Sequence, residues 1–139
     1  MRSWFSKLTK QRQHAEDPDF GKLTYMGGYW EGAGIFPPTQ DKVEYFVAAS
    51  EHGPSDANRQ AFQIICSNYA GLLAKAAAAI SSATESTAKA SELSVSSLDI
   101  PSGDLDTGTW EMSFDDTAGT LFSVKFSGLD ATGVVDVSY

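Results

Sequence analysis

The side chains of this chain with chemistry to offer are mostly carboxylates. Glu31, Glu44 and Glu111 lie in stretches with strand patterning, where alternate residues share one face of a sheet. A pair of carboxyl groups about 5–10 Å apart across a cleft is the arrangement used for acid–base hydrolysis. Convergence of these three would allow it, whereas solvated strand glutamates are the plainer reading. A second acidic set lies in turns: residues 92–139 hold nine acids against one base, Lys125. Within it Asp104, Asp106, Asp115, Asp116 and Asp130 are the candidate binding residues for a basic partner, the alternative being turns that merely keep the surface hydrated. Asp104-Leu105-Asp106 with Gly108 and Glu111 has some of the acids of a calcium loop. It lacks the third oxygen ligand, the central glycine and the 12-residue spacing.

Other chemistry is thinly represented. His14 and His52 have no partner at metal-ligand spacing, and Cys66 sits in a helical pattern far in sequence from both, so it reads as a small buried hydrophobe. No metal or cofactor is expected. There is no G-x-S-x-G and no P-loop, and the glycines at 27, 28, 32 and 34 lie within a hairpin rather than before a helix, the context that phosphate binding requires. No signature names a reaction.

With 139 residues, 42% of them hydrophobic, the chain is the size of one globular domain. Ten basic against 18 acidic side chains give a net charge of −8, which argues against nucleic acid and anionic membrane as partners. One cysteine excludes an internal disulfide and suits a reducing compartment; cytoplasm is expected. Residues 1–14 carry Arg2, Lys7, Lys10 and Arg12 and no acid, so the boundary falls between a basic amphipathic arm, 1–16, and a single domain, 17–139. The arm's Trp4, Phe5 and Leu8 could line one face of a short helix that docks on the acidic body or on a second copy, making the arm a route to a homo-oligomer. It lacks the apolar run of a secretory signal, and residues 70–80 are too short to span a bilayer.

The elements that must position the carboxylates are legible in outline. Asp17-Pro18-Asp19 is turn chemistry, with carboxylates free to accept backbone N–H groups. Residues 20–26 and 29–36 form a hairpin across Gly27-Gly28, which places Tyr25 opposite Trp30 and Leu23 opposite Gly32. Leu23, Tyr25, Trp30 and Phe36 then share one face, with Lys22, Thr24, Glu31 and Ala33 on the other. A third strand, 43–49, has Val43, Tyr45 and Val47 alternating with Glu44, Phe46 and Ala48, and an aromatic in each set suggests cover on both sides. After a cap at Ser55 or Asp56, the spacing of Phe62, Ile65, Tyr69, Leu72, Ala76 and Ile80 predicts one long helix. Residues 81–91 read as a short helix or, alternatively, a serine-rich linker. Candidate strands at 93–100, 109–114, 121–126 and 132–138 follow. The predicted fold is α+β, an antiparallel sheet of about six to seven strands packed on a long central helix, with a short N-terminal helix.

Assembled in this order, Asp17-Pro18-Asp19-Phe20-Gly21, Trp30-Glu31-Gly32, the helix from Asp56, Trp110-Glu111, and Asp115-Asp116 before Leu121-Phe122 resemble a loose group of uncharacterised bacterial domains. The resemblance covers most of residues 17–137 and implies no activity or cofactor. Some of those domains are similar to immunity proteins of toxin loci. The expectation is a non-enzymatic protein-interaction module, in its specific form an immunity-type inhibitor, with an acidic contact face for a basic protein. The alternative is a small-molecule-binding or enzymatic domain with an aromatic pocket on the sheet, lined by Tyr25, Trp30, Glu31, Tyr45, Trp110 and Glu111.

Overall fold

The computed structural model describes residues 13–85, 87–106 and 108–139. The expected N-terminal helix, and with it the oligomer contact through the arm, falls on residues outside that set. Eight strands form one sheet in sequence order: β1 (His14–Asp17), β2 (Gly21–Tyr25), β3 (Trp30–Phe36), β4 (Asp41–Val47), β5 (Ser94–Ile100), β6 (Thr109–Asp115), β7 (Leu121–Ser127) and β8 (Asp130–Ser138). The fold is α+β, as the patterning predicts.

The first hairpin has the expected register, Tyr25 facing Trp30 and Leu23 facing Gly32. Its turn is closed by the Met26 N–H donating to the Tyr29 carbonyl at 2.8 Å, with φ of 88° at Gly27 and 123° at Gly28. Upstream, β1 adds a strand the sequence pattern does not signal, pairing His14 with Thr24 and Asp17 with Gly21. Gly32 is required because the neighbouring strand leaves no room for a side chain. A Cβ there would lie inside the Lys22 carbonyl and 3.1 Å from Leu23 Cδ2, so the backbone of β2 fills the space.

All neighbours are antiparallel except β4 and β5, which run parallel with Tyr45 beside Leu98 and Val47 beside Ile100. A parallel pair needs a crossover. Helices α1 (Asp56–Ser67) and α2 (Tyr69–Ala83) supply it, followed by a 3-10 turn at Ala90–Glu92. The one long helix predicted from the apolar stripe is therefore two, bent by 75°. Asn68 makes the break: its backbone leaves the helical region (φ −113°, ψ 15°), and its side-chain Nδ2 donates to the Ile64 carbonyl at 2.8 Å, competing with the helical ladder. No single helix among the described residues is long and apolar enough to cross a membrane.

The core lies between the helices and one face of the sheet. Phe62 of α1 meets Phe20 and Tyr45 edge-on, with centroids 5.0 and 5.6 Å away, and Tyr69 at the head of α2 meets Phe36 at 5.2 Å. Further along, Leu72, Ala76 and Ile80 of α2 are buried in the same cluster as Trp110, Met112, Phe114, Phe122, Val124 and Phe126. Burial of these rings and aliphatics, at about 1.5–3 kcal/mol per side chain, is what offsets the entropy of ordering the chain.

Two polar contacts fix the helices on the sheet. Asn58, fully buried, donates through Nδ2 to the Ala48 carbonyl at 3.0 Å and the Pro101 carbonyl at 2.7 Å. Its Oδ1 accepts from the Ser55 N–H and hydroxyl, completing a capping box at the start of α1. Arg59, one residue on, forms a fork with Asp17 at 2.7 and 3.1 Å and reaches Asp19 at 2.7 Å. Burial pushes the Asp17 carboxyl up, but bonds from Arg59 and from the N–H groups of Asp19 and Phe20 outweigh it and hold the group below its ordinary value.

Asn58→Ala leaves two carbonyls at the ends of β4 and β5 without their donor and removes half of the capping box. It is expected to destabilise the fold by about 3 kcal/mol, read as a lower urea midpoint; an unchanged midpoint would show that water replaces the amide. Gly32→Ala should be as harmful, since backbone rather than a movable side chain must give way, roughly 3 kcal/mol on the same scale.

Candidate functional site

Because strand residues alternate, the helices cover only one face. Among the described residues no helix covers the other, the open face, and the register assembles it row by row. One row runs from His14 to Thr24, Glu31, Phe46 and Asp99, then to Glu111, whose partner on β7 is Lys125. Beside it Ala33 pairs with Glu44 and Glu44 with Ser97. Phe46 is half-buried, with the Tyr29 ring centroid 6.5 Å away and no helix above it among the described residues. Glu31 and Asp99 lie to either side of Phe46, and Glu44 is two residues away on the same strand.

Lys22, Lys42 and Lys125 share this face by register. Among the described residues the ion pairs are those of Arg59 with Asp17 and Asp19 and of Lys75 with Asp130. None engages Glu31, Glu44, Asp99 or Glu111. The Asp99 carboxyl is shifted by its surroundings. Burial and then the neighbouring Glu111 charge push its carboxyl up to about 6, against a partial opposing effect from a hydrogen bond with the Glu111 backbone.

The acidic turns expected to form a contact face are divided between the two ends of the sheet. Asp104 and Asp106 lie in the loop whose Leu105 carbonyl accepts from the Gly128 N–H, and Asp130 follows in the next turn. Asp115 and Asp116 sit at the far end of β6, a seven-residue strand, so about 20 Å separates the groups. Several of these carboxylates serve their own turns: Asp104 accepts from the Asp106 N–H and Asp116 from the N–H groups of Ala118 and Thr120. Asp130 is paired with Lys75 at 3.1 Å.

The pocket candidates divide between the faces. Trp30, Tyr45 and Trp110 are buried in the core, each with its polar atom occupied. Trp30 Nε1 donates to the Ser50 carbonyl, the Tyr45 hydroxyl to Ile35 and Trp110 Nε1 to Gly128. Tyr25, half-buried, lies against Trp30 at 5.1 Å. Glu31 and Glu111 are on the open face and share no lining with those rings. Cys66 is half-buried and its thiol is pushed up to about 11, by burial first and then by the Asp19 charge, so it is a poor nucleophile near neutrality. No group of three or more His, Cys, Asp or Glu side chains with metal-binding geometry occurs among the described residues.

No family model, no curated protein and no solved structure matches the chain. Geometry alone must carry the function.

Phe46 enters the sequence reading only as one face of its strand, and Asp99 only as one of the nine acids of residues 92–139, not as a candidate binding residue. A signal was present in Leu98-Asp99-Ile100, an acid between two buried aliphatics, which places the carboxylate on the opposite face.

The raised carboxyl makes a pH prediction. Its folded-state value lies above the roughly 3.9 of an unfolded aspartate, so its contribution to stability is fully present below about pH 4 and is lost as pH rises through about 6. Asp99→Asn should therefore match wild type near pH 4 and exceed it near pH 7. The gain is about 1 kcal/mol once solvent screening of a partly exposed group is allowed for. Parallel stability curves for the two proteins across that range would show that Asp99 is not strained.

Proposed function

We propose that this chain is a non-enzymatic protein-interaction module that receives a basic protein partner on the open face of its sheet. One observation carries the reading: Phe46 stands half-buried among Glu31, Glu44 and Asp99, and these carboxylates have no ion pair among the described residues. A desolvated aromatic anchor inside a charged rim is the anatomy of a contact hot spot. An arriving Lys or Arg would gain both the carboxylates and the ring faces of Phe46 and Tyr29. An inhibitor that covers the basic substrate site of a toxin is the form of such a module that this surface suits, in keeping with the immunity-type reading. The turn carboxylates Asp104, Asp106, Asp115, Asp116 and Asp130 then shape the long-range field that speeds encounter, not the contact itself.

The test uses an arginine-rich peptide as probe. Binding at low salt, weakened about threefold to fivefold by each of Glu31→Gln, Asp99→Asn and Glu111→Gln, and little changed by Asp115→Asn with Asp116→Asn, is the expected result. Affinity should fall as pH drops through about 6, because a bound cation favours charged Asp99. Loss of binding with the turn variants while the face variants bind normally would sink the proposal.

A further inference from the structure

The groups of the open face are spaced in a way that bears on what kind of segment can lie there. Glu31 of β3, Phe46 of β4 and Asp99 of β5 stand in one row, and all three are half-buried. Two strand spacings separate the carboxylates, about 9.6 Å, with the ring midway between them. Beyond each carboxylate the row continues with groups that already have company. Thr24, beside Glu31, is hydrogen bonded to His14 at 3.0 Å, and Glu111, beside Asp99, stands opposite Lys125. Lys22 and Lys42 share the face but sit off the row, level with Ala33 and Ile35. Neither is in an ion pair among the described residues, and both mark the side on which an arriving cation is repelled.

A helix fits this spacing. Residues i and i+7 of an α-helix lie on one side about 10.5 Å apart, with i+3 and i+4 between them at about 4.5–6 Å. An extended chain presents same-side residues about 6.7 or 13 Å apart, to either side of the distance required. Backbone chemistry separates the two forms more sharply. β3, β4 and β5 are each paired on both sides, so their N–H and C=O groups are engaged in the ladders. An extended segment laid over them would press its own unpaired backbone groups onto the half-buried ring of Phe46. A helix arrives with its backbone bonded internally. Strand addition belongs to the borders of the sheet, β1 and β8, away from this row.

We propose that the segment received by the open face is an amphipathic α-helix laid across β3, β4 and β5, with Lys or Arg at i and i+7 above Glu31 and Asp99 and an apolar residue at i+3 or i+4 on the Phe46 ring. The proposal rests on the reading of this face as the contact for a basic protein, and adds the partner's form and its residue spacing. Tyr29, 39% exposed and with its ring centroid 6.5 Å from Phe46, flanks the apolar contact. A further cation beyond Asp99 gains less, because Lys125 faces Glu111.

The deciding experiment titrates two stapled helical peptides of identical composition into the full wild-type chain at low salt. The matched peptide has Arg at i and i+7 with Leu at i+3. In the permuted peptide the second Arg moves to i+5, toward the opposite side of the helix. The matched peptide should bind about tenfold more tightly than the permuted one. That advantage should shrink by about threefold in each of Glu31→Gln and Asp99→Asn, with amide shifts centred on Glu31, Phe46 and Asp99. Equal binding of the two helices, while the arginine-rich peptide also binds, would overturn the helical geometry and leave the interaction reading standing. A preference for the matched peptide undiminished in both variants would overturn it too, by placing the helix elsewhere. Failure of all three peptides to bind would sink both readings together.

Discussion

The arrangement depends on how a single buried amide is satisfied. Asn58 has two donors and an acceptor to place in a site with no solvent, and each finds a partner: the carbonyls leaving β4 and β5 take the donors, and Ser55 supplies the acceptor's needs. An unmade bond in such a position costs 1–3 kcal/mol, so three separate segments can meet here in only one way. The contact fixes where the first helix begins and how the two parallel strands end. It also closes the switch between two antiparallel halves. In open sheets with parallel strands, the crevice beyond the strand ends at such a switch is where small ligands usually lodge. Here the first turn of a helix and its Asn occupy it.

With that end closed, the remaining surface of the sheet that could do anything is the face without helices. The aromatic count of the sequence makes the opposite impression, since three of the most conspicuous rings, Trp30, Tyr45 and Trp110, are core. Their polar atoms are bonded to backbone carbonyls, which fixes the rings in place and leaves them nothing to offer a ligand. What distinguishes the other face is that Glu31, Glu44 and Asp99 make no ion pair among the described residues. Burial and the neighbouring Glu111 hold the Asp99 carboxyl up near 6.

Much of this was legible in the residues. The hairpin register followed from Gly27-Gly28 and the alternation around it, and the inward sets of β6 and β7 followed from Trp110, Met112 and Phe114 and from Phe122, Val124 and Phe126. Three features were not. His14-Ala15-Glu16-Asp17 has neither β-branched nor aromatic residues, so β1 owes its form to the neighbour it pairs with rather than to propensity. The apolar stripe continues through Asn68 without interruption, and only the local bond to Ile64 turns one helix into two. In β5 the irregularity between Val95 and Ser97 shifts the alternation, so Val95, Leu98 and Ile100 are all buried despite their odd spacing. The face on which Asp99 stands could not be counted from the start of the strand.

The two margins of the sheet differ in a way that bears on how this protein behaves in company. β1 is four residues long, too short to template another strand well. β8 is nine residues long, yet its pairing with β7 slips twice, between Ser123 and Val124 and between Lys125 and Phe126, and it carries Asp130 and Asp136 along its length. Brevity at one border and irregularity with negative charge at the other are both ways of discouraging edge-to-edge growth. Among the described residues both margins of the sheet are therefore poor templates, and stacking of copies edge to edge is disfavoured.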